Sequence, residues 1–128
     1  MPVSFNHTLI PCTDREASAN FLAKMLGLEA PVEFGPFLCV ETDNEVSLDF
    51  MQVSSAEVTP QHYAFLISER EFDEIFDRIK ENNLTYWADP HQARPGEINR
   101  NDGGRGVYFP DANGHLLEVL TRPYGSGE

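Results

Sequence analysis

Basic residues, cysteines and long apolar runs are all scarce in this chain, and each scarcity excludes something. Only 9 lysines and arginines stand against 21 aspartates and glutamates over 128 residues, a formal net charge of −12. A surface that acidic repels phosphate backbones, so nucleic acid is not an expected partner, and neither is an anionic membrane. No apolar stretch approaches the roughly 20 residues needed to span a bilayer. The opening MPVSFNHTLI lacks the basic start and long apolar core of a secretory signal. Cys12 and Cys39 form no C-x-x-C pair and follow no disulfide-framework spacing, so they read as packing residues. What remains is an ordinary globular composition, 41% apolar, in a chain of single-domain length. A cytoplasmic protein is the expectation.

What is present is a sentence written twice. NHTLIPCTDRE and QHYAFLISERE both place a histidine, His7 and His62, ahead of a mostly apolar run. Each then reaches a hydroxyl-x-x-Glu signal, Thr13-x-x-Glu16 and Ser68-x-x-Glu71, which reads as a capping box opening a helix. Apolar residues at helical spacing follow: Ala17, Phe21, Leu22, Met25 and Leu26 in one copy, Phe72, Ile75, Phe76 and Ile79 in the other. Gly27 and Asn82 sit in step at the two helix ends, as residue types that readily adopt the left-handed conformation there.

Strands are expected after each helix. PFLCVET and EVSLDFMQV flank Asp43-Asn44 as a hairpin, with a further strand around residues 30–34. In the second copy LTYWADP leads into a long polar loop, and GRGVYFPD and HLLEVLTRP meet around Ala112-Asn113-Gly114. The reading is α+β, two tandem strand–helix–strand–strand modules at about 1–57 and 58–124, with a fraying tail at 125–128. Two such modules can curve their sheets around a shared cleft, where a ligand is expected.

The last strand of each module carries a carboxylate between apolar residues: Asp49 in LDF and Glu118 in LEV. An ionised carboxylate in a strand with two apolar faces needs a partner or a metal. Each module thus contributes one early histidine and one late carboxylate. Convergence of His7, His62 and Glu118 would make a first-row divalent metal site with room for substrate. Asp49 is a fourth ligand, a base, or a hydrogen-bond partner that orients a neighbouring histidine. His91 and His115 are expected at the solvent. The segment 88–106 reads as a lid whose Arg94, Arg100 and Arg105 meet an anionic group, or as an ordinary surface loop. Phe34, Phe37, Trp87 and Tyr108 are candidates either for the core or for stacking on a flat ligand.

With NHT, FLAKMLGL, QHYAFLIS and the closing GRGVYFPDANGHLLEVLTRP in place, the chain resembles the vicinal oxygen chelate superfamily over nearly its whole length. That group holds glyoxalases, extradiol dioxygenases, fosfomycin-resistance transferases and bleomycin-resistance proteins. The resemblance implies paired βαβββ modules, metal ligands at His7, His62 and Glu118, and a homodimer whose modules pair within or between chains. Glyoxalases usually have glutamate where Asp49 stands, so this chain departs from them there. Two functions follow as expectations. One is an enzyme using zinc, nickel, iron or manganese on a small oxygenated molecule, as lyase, dioxygenase or thiol transferase. The other is a non-catalytic protein that sequesters a drug or other aromatic ligand, which an acidic surface suits.

Overall fold

The computed structural model describes residues 2–127 of the chain. They fall into two compact units, Met1–Thr59 and Pro60–Glu128. Among the described residues no helix is long and apolar enough to cross a membrane.

The first unit runs β1 (His7–Cys12), α1 (Arg15–Leu26), β2 (Val32–Phe34), β3 (Phe37–Glu41) and β4 (Ser47–Gln52). Its sheet order is β1-β4-β3-β2, with β1 parallel to β4 and the rest antiparallel. The parallel pair exists because α1 carries the chain back across the sheet, a connection parallel strands require. Asp14, not Thr13, caps α1: its side chain accepts from the Ala17 N–H at 3.0 Å, one residue later than the sequence suggests. Thr13 and Asp14 are both good caps, and the carboxylate also suits the positive end of the helix. Gly27 ends the helix with φ 69°, as expected.

Register decides the faces. Ile10 pairs with Phe50 and Thr8 with Leu48, so these side chains share one side of the sheet. Ile10, Val40, Leu48 and Phe50 are buried, as are Ala19, Leu22, Ala23 and Met25 of α1. On the opposite face His7 lies beside Ser47, and Leu9 beside Asp49.

The second unit repeats the plan with β5 (His62–Leu66), α2 (Glu69–Glu81), β6 (Gly106–Pro110) and β7 (Leu116–Leu120), ordered β5-β7-β6. Again the first and last strands are parallel. Ser68 and Glu71 form the expected capping box. Asn82 does not take the left-handed conformation (φ −92°); the next residue, Asn83, does so at φ 55°. Phe72, Ile75 and Ile79 of α2 are no more than 1% exposed, as are Val107, Phe109 and Val119, and Leu117 is buried beside them.

The strand expected at LTYWADP shrinks to isolated bridges. Trp87 exchanges two backbone bonds of 2.9 Å with Tyr108, on the edge of β6. Its neighbours turn inward on the loop instead, Ala88 N–H to Arg94 and Gly96 N–H to Tyr86. Backbone donors spent on a tight loop are unavailable to a ladder. The tail is tied down as well: Gly125 and Gly127 N–H both donate to Asp102 Oδ1, at 3.2 and 3.1 Å. Its last residue, Glu128, lies outside the described residues.

Candidate functional site

Glu118 sits mid-strand in β7, its side chain only 1% exposed. Parallel pairing sets Ala64 beside it, and places His62 next to Leu116 on the same face. His62 therefore reaches across, and its Nε2 stands 3.0 Å from Glu118 Oε1. Its other nitrogen, Nδ1, is 3.0 Å from the Leu116 carbonyl. A carbonyl accepts only, so Nδ1 carries a proton and Nε2 is left as the lone pair of the neutral ring. Two acceptors then face each other across 3.0 Å. A second ring proton resolves that, and so does a cation between them.

The donor types fit a metal: a histidine nitrogen and a buried carboxylate oxygen in one place are groups that would hold a divalent ion. Glu118 Oε2 is occupied separately: the Tyr124 hydroxyl donates to it. Tyr108 OH lies 2.7 Å from Tyr124 OH. Since the single Tyr124 proton goes to the carboxylate, Tyr108 is the donor in that pair. Burial, with the bond to Glu118 behind it, pushes the Tyr124 phenol far up from its ordinary value. Burial likewise raises Tyr108, and the Glu118 charge adds to it. Tyr124 as a whole is 58% exposed, yet its hydroxyl end is the part directed at Glu118.

In the first unit the equivalent residues are His7 and Asp49. His7 is exposed, and its Nδ1 is 2.7 Å from Asn6 Oδ1, an arrangement that again leaves Nε2 for a metal. Asp49 is 8% exposed and accepts from Ser47 Oγ at 2.5 Å. Cys39 stands opposite Asp49 in β3. Burial first and Asp49 second push the Cys39 thiol up.

The structure brings His62 and Glu118 together and keeps His7 and Asp49 on one face of the other unit's sheet. Among the described residues no group of three or more His, Cys, Asp or Glu is close enough to hold a metal ion. Phe37 and Phe34 lie on the Asp49 face by register, and Phe34 is 73% exposed, so it is not core. Trp87 and Tyr108 lie on the Glu118 face, and the Tyr108 ring stacks on His62 at 5.8 Å.

Arg105, expected to meet a ligand's anionic group, is otherwise engaged. Its Nε donates to Glu69 Oε1 at 2.7 Å, its Nη1 stands 2.9 Å from Asp73, and the guanidinium covers the Phe72 ring. It fastens the start of β6 to α2. Arg94 pairs with Glu97 at the surface. His91 is exposed, as expected, but His115 is not: it is fully buried, and its Nδ1 accepts the Gln61 N–H at 3.0 Å. That bond anchors the residue just before His62. Tyr124 and Asn6 went unnoticed in the sequence. Asn6 adjoins a candidate histidine, a usable signal; Tyr124 lies in a tail with no periodicity.

Comparison with known proteins adds three findings. The family model described as Glyoxalase/Bleomycin resistance protein/Dioxygenase superfamily matches residues 4–119. Two solved structures, oxidase ChaP-H2 and oxidase ChaP-H1, are 61% and 64% identical, with TM-scores of 0.96 and 0.94. The first match covers 100% of both chains, the second 97% of this chain and 99% of the other. The glutathione transferase FosA of Serratia marcescens is 26% identical, over 91% of this chain and 79% of its own.

Proposed function

We propose that this chain, which belongs to the Glyoxalase/Bleomycin resistance protein/Dioxygenase superfamily, is a divalent-metal-dependent enzyme that oxidises a small oxygenated molecule. His7, His62 and Glu118 are its metal ligands in this reading. One observation carries it: His62 Nε2 and the buried Glu118 Oε1, both metal-ligating atom types, lie 3.0 Å apart. The duplicated architecture supports His7 as the partner from the other module, within one chain or across a homodimer. The likeness to two oxidases at over 60% identity supports oxidation over other chemistries of the family. Two imidazoles and one carboxylate with open positions favour non-haem iron.

When bound, the ion supplies Lewis-acid stabilisation of negative charge on the substrate's oxygens and, as iron, electron transfer with dioxygen. The protein supplies the rest. Asp49, which accepts a hydrogen bond from Ser47, is the candidate base for a substrate hydroxyl in this reading. Phe37, Trp87 and Tyr108 offer aromatic faces to a flat substrate. Arg105 is the weaker binding candidate, because its Nε and Nη1 are engaged by Glu69 and Asp73 of α2. The relation to FosA supports a second reading, metal-assisted transfer of a thiol to a small molecule.

Metal-free protein loaded anaerobically with Fe(II), Mn(II) or Zn(II) and given catechols in an oxygen electrode separates these. We expect oxygen uptake with Fe(II) alone, abolished in His62→Ala and Glu118→Ala. Glutathione adduct formation with Mn(II) in a parallel assay given glutathione and a small epoxide, whose C–O bond opens as the C–S bond forms, and no oxygen uptake with any metal, would favour the transferase.

A further inference from the structure

We propose that the C-terminal strap, residues 121–127, is part of the metal site: it delivers Tyr124 to Glu118 and thereby restricts that carboxylate to one coordinating oxygen. The inference rests on the metal-enzyme reading above. Glu118 has two oxygens with different neighbours. Oε2 takes the Tyr124 hydroxyl proton, while Oε1 faces His62 Nε2 at 3.0 Å. Oε1 is therefore the oxygen presented to an ion. Single-oxygen ligation leaves one more coordination position open for substrate or dioxygen than a carboxylate that clasps the ion with both.

The strap is seated by contacts independent of that hydroxyl. Asp102 adopts a left-handed conformation at φ 56°, and its Oδ1 accepts from Gly125 and Gly127 N–H. A Cβ at Gly127 would overlap the Asp102 backbone, so only glycine permits this approach. Arg122 Nη2 donates to the Ser126 carbonyl at 2.9 Å and closes the turn. Behind Tyr124, Tyr108 donates to the hydroxyl oxygen at 2.7 Å and orients its proton toward Glu118. A chain Tyr108→Tyr124→Glu118 thus runs from the sheet through the strap to the ligand. Tyr124 is a positioning residue, acting through Glu118.

The experiment compares wild type, Tyr124→Phe and Asp102→Gly, the last keeping the positive φ while removing the strap's anchor. Mn(II) affinity is measured by calorimetry, and Co(II) loading by the visible bands that report coordination number. Loss of such an outer hydrogen bond weakens metal binding about 10-fold to 100-fold. We expect that loss in Tyr124→Phe, with a Co(II) spectrum shifted toward higher coordination. We expect a smaller loss and the same spectral direction in Asp102→Gly, which touches no ligand. Wild type that binds metal, with Tyr124→Phe unchanged in affinity and spectrum, overturns the strap's role alone. Wild type that binds no divalent ion overturns the metal-enzyme reading and the strap's role together.

Discussion

Replacing Glu118 by glutamine exchanges one oxygen for an NH2 group and separates two things the carboxylate does. Turned with its carbonyl toward Tyr124 and its NH2 toward His62 Nε2, the amide satisfies both neighbours and needs neither a second ring proton nor a cation. Because the side chain is 1% exposed, the metal-free variant also avoids a buried charge. Its stability should stay within about 1 kcal/mol of metal-free wild type, or rise by up to about 2 kcal/mol. Metal reverses the ranking. An ion at about 100 times its dissociation constant stabilises wild type by about 2.7 kcal/mol. In a chain of this size that corresponds to a melting shift of roughly 8–12 °C. The neutral amide forfeits it. Scanning calorimetry of chelator-stripped proteins, with and without Mn(II), reads both halves. A metal-free variant that is more than about 3 kcal/mol less stable than wild type refutes the hydrogen-bond argument. A metal shift as large in the variant as in wild type refutes the ligand assignment.

Two further outcomes test the scaffold. Phe72 is fully buried on α2 beneath the Arg105 guanidinium, so Phe72→Ala should cost about 3–5 kcal/mol in urea unfolding, and a cost under about 1 kcal/mol would show that α2 is not packed as described. The Glu69 carboxyl is held below its ordinary value of 4.5, first by the Thr121 hydroxyl and then by Arg105. A carboxyl lowered on folding contributes stability that is present above the unfolded value and lost as pH falls through the folded one. The stability difference between wild type and Glu69→Gln should therefore be full at pH 7 and shrink below about pH 4.5. A difference that does not change with pH contradicts the pairing.

The architecture was legible because it is duplicated. Hydrophobic periodicity and the Ser68 box mark the helices, and short apolar runs around Asp49 and Glu118 mark the closing strands, all of them local signals. The errors sit where local signals compete or vanish. Thr13 and Asp14 are adjacent caps, and helix geometry alone chooses between them. Asn82 and Asn83 pose the same ambiguity at the other end of α2. LTYWADP has a strand's composition, but the loop from 88 to 96 takes up the Ala88 N–H and the Tyr86 carbonyl. His115 looked solvent-facing because it adjoins a turn, yet the Gln61 N–H it accepts comes from a residue 54 positions away. Of the candidate site, the proximity of His62 and Glu118 was legible through repetition. The pairing of Arg105 was not legible, because an arginine in a glycine-rich loop does not announce the two acids waiting on α2. Tyr124 left no pattern at all; only the turn at Pro123 and the Asp102 anchor bring it back to β7.

The central claim is a shared metal, with one ligand from the first module and two from the second. Metal content of protein purified without chelator tests it most directly. The account predicts one divalent ion per chain in wild type, lost in His7→Ala as fully as in His62→Ala and Glu118→Ala. Retention of the ion in folded His7→Ala, or its absence from wild type that has been offered Fe(II), Mn(II) and Zn(II), would contradict it.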